Sequence, residues 1–181
     1  MTDNTDEALG FAPPHDQAVP YLARIREYYA GLGYGAPYRW AQYADVPFTP
    51  VTKPVSDMCI GLITTAAPYQ PDKGDQGPGA PYNAAAKFFT VYSGDTAHDH
   101  DVRISHISYD RQHTSAADSN SWFPLPALRR AAARGYFARL ARRFHGAPTN
   151  RSHLTTLDID CVELLARCRA DEVDAVLLVA T

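Results

Sequence analysis

Lysine is scarce in this chain. Only Lys53, Lys73 and Lys87 occur, so local positive charge rests on arginine. The formal net charge is −3, which gives the molecule as a whole no nucleic-acid footprint. No apolar run is long enough to span a bilayer. The N-terminus, MTDNTDEALG, is acidic and lacks the apolar core of a signal peptide. Cysteine is limited to Cys59, Cys161 and Cys168, without a C-x-x-C pair. An odd, widely spaced set argues against a disulfide scaffold. Repeats and low-complexity tracts are also missing. These absences point to a cytoplasmic protein with no membrane or nucleic-acid partner.

What is present reads as a globular α/β chain. Hydrophobic residues supply 45% and charged residues 20%, a balance that lets 181 residues bury one core. Residues 1–17 read as a flexible tail and 18–46 as a helical, aromatic extension. Pro20 suits the first position of a helix whose Leu22, Ile25 and Tyr29 share a face, and Gly31, Gly33 and Gly35 end it. Pro47, Pro50 and Pro54 make an extended approach to Met58–Ala66, an apolar run that reads as a fully buried strand. Pro68–Asn83 is a Gly- and Pro-rich loop, either functional or mobile. Phe88–Tyr92 and Val102–Ser108 are strand candidates, the second with half-buried alternation. Asp110–Trp122 is polar loop.

Pro124 and Pro126 open a helix that runs to Gly135. A last helix spans Thr156–Arg169. Leu157, Cys161, Leu164, Leu165 and Cys168 form its core face, and Asp158 and Asp160 sit in its first turn. Val173–Val179 closes the chain as a second buried strand. Alternating helices and buried strands predict a mostly parallel sheet with helices on both faces. Ligands on such sheets gather at the carboxyl ends of strands. That directs attention to Thr64–Ala67, to His106–Asp110 and to whatever follows Thr181.

The same residues carry a family pattern. PFTPVTKPVSDMCIGLITTA (Pro47–Ala66) holds an extended T-P-x-x-K segment leading into a buried strand. Gly94–Asp95 follows. Ser105, His106, Tyr109 and Asp110 make an S-H-x-x-Y-D, and Asp118, Asn120, Phe123, Pro124 and Leu125 make a D-x-N before F-P-L. Arg134–Gly135 and DEVDAVLLVAT (Asp171–Thr181) complete the set. In this order the motifs resemble the selenoprotein B family of glycine, sarcosine, betaine and D-proline reductases over residues 47–181.

The resemblance implies an α/β domain with a Rossmann-like three-layer arrangement. It implies reductive cleavage of a carbon–nitrogen bond in a small amino acid or amine. The partners it implies are a small-molecule substrate and an electron-donating redox protein or partner reductase subunit; a homo-oligomer is compatible with it. In that family the last strand runs into a selenocysteine or cysteine, followed by a second cysteine, a helix and a strand. The sequence stops at Thr181. The expectation is a chain cut at an in-frame UGA, lacking its last helix and strand and its selenocysteine, with no other cofactor. A natural short paralogue is the competing expectation. A selenol is more acidic than a thiol, so the anionic nucleophile forms readily.

His106 and Asp110 would then act as proton donor and its orienter; the bland alternative is a structural strand histidine. Thr64, Thr65, Tyr109, Asp118 and Asn120 are candidate substrate contacts. For Asp118 and Asn120 the alternative is Asx-turn capping; for Thr64 and Thr65 it is strand-end packing. His98, His100 and Asp95 raise a metal-dependent hydrolase, but no third and fourth ligand is evident, and no metal is expected. Arg129, Arg130, Arg134, Arg139, Arg142 and Arg143, with Tyr136, Phe137 and Phe144 interleaved, read as an Arg-rich helix face. A non-catalytic binding or assembly subunit could use it. Cys161 and Cys168 read as small core residues.

Overall fold

Cys59–Thr64 forms β1, the strand around which the sheet is built. In the computed structural model, residues 20–35, 41–106, 109–110, 112–149 and 152–180 are described. The expected tail over 1–17, residues 107–108 of the second strand candidate, and residues 36–40 of the aromatic extension lie outside the described residues. The chain separates into two units, Met1–Pro47 and Phe48–Thr181. In the first, helix α1 (Tyr21–Gly31) follows Pro20 as expected, with Leu22 and Tyr29 exposed.

In the second unit, β1 pairs in parallel with β5 (Arg139–Leu140) and β6 (Arg143–Gly146) along one edge. Along the other edge it pairs in parallel with β7 (Ala175–Val179). β3 (Tyr92–Asp95) joins β6 antiparallel. β2 (Ala67–Pro68) starts three residues beyond β1 and pairs antiparallel with β4 (Val102–Arg103). The result is a mixed α/β fold with a mostly parallel sheet and few helices.

Two-residue alternation along the strands sorts side chains between the two faces. Leu62 and Phe144 point to one face, where they pack with Trp122, Phe123 and Leu125 from α2 (Leu125–Ala133) and the segment before it. Fully burying each such side chain contributes about 1.5–3 kcal/mol. Ser93, Arg143 and His145 point to the other face, toward the last helix. That helix starts at His153–Thr155 (α3), capped by Ser152 Oγ accepting from the Thr155 amide. It passes through a π-turn at Thr156–Asp160 and continues as α4 (Cys161–Ala170).

Several expectations need correction. The Phe88–Tyr92 strand lies further on, at Tyr92–Asp95, because its register is set by β6. There Tyr92 faces Gly146 and Phe144 faces Gly94, so each ring lies over a glycine. A Cβ on Gly146 would overlap the Tyr92 ring, and one on Gly94 would overlap Phe144. The Arg-rich stretch is not one helix face. Only Arg129 and Arg130 are helical, Arg134 caps α2, and Arg139 and Arg143 lie in strands. The last helix begins earlier than Thr156. Its buried positions are Asp160, Leu164 and Cys168, while Leu157, Cys161 and Leu165 are exposed on a flank that no described residue covers. β7 exists and pairs only with β1 among the described residues, but its Val176, Leu177 and Leu178 side chains are exposed on both faces of the strand.

Candidate functional site

The carboxyl ends of β1, β6 and β7 converge on Thr64 and Thr65. The Thr64 carbonyl accepts from Ala147, and the Thr65 amide donates to the Val179 carbonyl. Thr64 is fully buried, and its hydroxyl accepts from the Ala66 amide at 3.1 Å. Its side chain therefore shapes the turn out of β1. Tyr92 Oη closes the same turn by donating to the Ala66 carbonyl at 2.7 Å, and burial pushes its phenol up.

Past this turn, the β2–β4 ribbon leads to a cavity of about 650 Å³. Trp122, Phe123, Leu125 and Ile104 give it apolar walls, and Tyr109 also lines it. The volume falls in the range of small-molecule sites. Its Gly- and Pro-rich rim is pinned. Gln70 and Gln76 exchange hydrogen bonds: the Gln70 amide donates to Gln76 Oε1 at 3.1 Å, and Gln76 Nε2 donates to the Gln70 carbonyl at 2.7 Å. The Pro68–Asn83 loop is thus held by side chain–backbone bonds. On the β4 wall, Arg103 forks onto Asp101, Nε to Oδ1 at 2.5 Å and Nη2 to Oδ2 at 3.0 Å. The guanidinium also lies over the Tyr69 ring, 4.9 Å from its centroid.

The candidate residues are distributed unevenly around this cavity. Tyr109 lines it. His106 is half-buried. Asp110 is exposed and accepts from the Gln112 and His113 amides at 3.0 Å each, with His113 Nδ1 3.1 Å from its Oδ2. The amide bond from His113 leads in holding its carboxyl below the usual range. Asp118 accepts from the Asn120 amide at 3.0 Å and side chain at 2.9 Å, which lowers its carboxyl's pKa. Asn120 Oδ1 in turn accepts from Ala127 in the first turn of α2. Asp118 and Asn120 thus make the capping contacts of their bland reading.

The His/Asp segment is also internally bonded. His98 Nδ1 lies 3.4 Å from Asp95 Oδ2, and His100 Nε2 contacts the Asp95 carbonyl at 2.5 Å. Among the described residues no group of three His, Cys, Asp or Glu side chains is placed to hold a metal ion. Arg129 reaches from α2 to the same segment, donating to the Thr96 carbonyl and to Asp99 at 2.5 Å each.

Two arrangements were not anticipated from the sequence. One is the Asp101–Arg103 pair, whose spacing puts both residues on one face of an extended segment, the available signal. The other is a polar cluster under the sheet. Asp171 accepts from Arg143 Nε at 3.0 Å and lies 3.5 Å from His145 Nε2. His145 Nδ1 meets Ser93 Oγ at 2.8 Å, and Arg167 donates to that oxygen. These residues are far apart in sequence, so no local pattern joins them. At the amino ends of β1 and β7, Lys53 Nζ lies 2.7 Å from Asp174 Oδ2, which also accepts from the Cys59 amide at 2.8 Å.

A curated protein is similar to this chain over most of its length. D-proline reductase subunit gamma of Acetoanaerobium sticklandii is 32% identical over 137 residues, 74% of this chain and 52% of the relative. The chain is similar to the D-proline reductase family. It spans about half the length of that relative. No protein-family model matches, and no solved structure does. The D-proline reductase likeness agrees with the family resemblance that the ordered motifs carry. Two of them, the T-P-x-x-K segment and the DEVD start of the last stretch, meet in the Lys53–Asp174 pair. No described helix is long and apolar enough to cross a membrane.

Proposed function

We propose that this chain is a component of a reductase of the D-proline reductase type. It works with partner subunits on a small amino acid or amine. The observation that carries this reading is the 32% identity to D-proline reductase subunit gamma across 137 residues. The reaction is a reductive cleavage. A carbon–nitrogen bond breaks, two electrons and two protons enter, and carbon and nitrogen each gain a hydrogen. An electron-donating redox protein or partner reductase subunit supplies the electrons.

In this reading the nucleophile is a selenolate or thiolate encoded after Thr181, beyond the carboxyl end of β7. The position suits the rule that ligands sit at strand carboxyl ends. Tyr109 contacts substrate from the cavity wall, and His106 is the proton donor. The sheet belongs to a Rossmann-like three-layer domain. The exposed edge of β7 supports this, since an apolar edge strand calls for cover.

The test is reconstitution. The complete reading frame, expressed with its partner subunits and given a reductant, is offered D-proline, glycine, sarcosine and betaine separately. The reading expects one of them to be consumed with two electrons per bond cleaved, and alkylation of the nucleophile to stop it. Consumption of none overturns the reading.

A further inference from the structure

We infer that the cavity beside β4 is a zwitterion pocket, in which Arg103 takes a carboxylate and Asp101 takes the ammonium of the same small molecule. The inference deepens the reductase reading and rests on it for the choice of D-proline as first probe. The geometry argues for it in three steps.

First, the other charges near the cavity are already committed. Asp99 is held by Arg129 at 2.5 Å. His100 is bonded to the Asp95 carbonyl and packs edge-on against Phe144, with centroids 4.9 Å apart. Asp101 and Arg103 are committed only to each other among the described residues. Their side chains are 53% and 27% exposed, so a ligand can reach both charges.

Second, the fork uses Nε and Nη2 of Arg103, and Nη1 bonds no described residue. A guanidinium carries five N–H donors, so it can hold a second carboxylate on its remaining edge. Asp101 has acceptor capacity beyond the two bonds it takes. A pair of opposite charges side by side suits a ligand that carries both signs. A simple anion would gain from Arg103 but be repelled by Asp101, and a simple cation the reverse.

Third, Trp122 and Phe123 offer flat apolar surface to the body of the ligand. The arginine itself is held in place by stacking on Tyr69 and by Asp101. The site needs little reordering on binding, which favours affinity. The cavity is larger than one small amino acid, so a ligand at the β4 end shares it with water.

The experiment is calorimetric titration of the full reading frame with D-proline, cyclopentanecarboxylate and pyrrolidine. The last two keep the ring and one charge each. D-proline is expected to bind at least tenfold more tightly than either. Arg103→Gln is expected to weaken D-proline at least tenfold. Ala117→Trp fills the cavity from an exposed rim position without touching the charges, and is expected to abolish binding while circular dichroism stays native. Equal binding of the three probes, or unchanged binding in both variants, overturns the inference. If betaine binds with these dependences and D-proline does not, the pocket stands and the D-proline substrate falls. If the reconstituted complex turns over D-proline with unchanged KM in Arg103→Gln, the pocket falls and the reductase reading stands.

Discussion

His145 Nε2 stands 3.5 Å from Asp171 Oδ2, and both side chains are 2% exposed. A buried pair of this kind lets protonation of the histidine be read in stability. Burial is the largest influence on His145 and pulls its pKa below 6.5. The Asp171 charge opposes that shift, whereas Arg143 and Arg167 reinforce it.

The sign follows directly. The folded chain gives up the imidazolium proton more easily than the unfolded chain. Between the two pKa values the unfolded chain binds more protons. The contribution is therefore complete above the unfolded value and is lost as pH falls through the folded one. Urea midpoints measured from roughly pH 7.5 down to pH 5 should fall with acid, and His145→Gln should flatten that part of the curve. An equally steep curve in the variant would assign the effect elsewhere.

Gly146 lies opposite Tyr92, whose ring covers the glycine and whose hydroxyl closes the turn after β1. Gly146→Ala forces the ring aside and breaks the bond to Ala66. Overpacking of this kind costs about 1–3 kcal/mol. Chemical denaturation checks it, and Tyr92→Ala in the alanine background should recover part of the loss if the overlap is the cause.

How much of this was legible in advance depends on where each signal lies. β1, α1 and α2 were readable, because an apolar run or a helical repeat sits within one short window. β5 and β6 were not. Arg139–Gly146 is rich in arginine, and its strand character comes from pairing with β1 and β3, which are distant in sequence. β7 was readable as a strand but not as an exposed one, since apolar content does not say what covers it. Among the site residues, Tyr109 lines the cavity, whereas Asp118 and Asn120 cap a helix through bonds that Asx chemistry already suggested. The Asp101–Arg103 pair and the His145–Asp171 cluster depend on folding to acquire meaning.

Asp174 is held below its ordinary pKa of 3.8 first by the Lys53 ammonium and then by the Cys59 amide. In Lys53→Met the first cause is gone, so the Asp174 carboxyl should titrate closer to 3.8 while staying somewhat low. NMR titration of the carboxyl carbon measures this. In the native chain the stability from Asp174 is present at neutral pH and is lost as pH falls through the folded value. In the variant the contribution should be smaller and its loss complete at a higher pH.

The 181-residue chain presents Val176, Leu177 and Leu178 along β7. Exposed apolar edge strands pair with other chains. The isolated chain should self-associate with rising concentration, and Leu178→Lys, at the most exposed of these positions, should suppress it. Light scattering of the two proteins at matched concentration decides. Equal scattering would show that the β7 edge is not the contact.

The proposed reductase needs a selenolate or thiolate, and the proposal puts it beyond the carboxyl end of β7. The most direct measurement is the genomic sequence past codon 181, with mass spectrometry of the native protein to confirm the residue. The expected result is a selenocysteine UGA or a cysteine codon in frame, followed by codons for a second cysteine, a helix and a strand. A UAA or UAG with no continuing frame, and a native mass ending at Thr181, would contradict it.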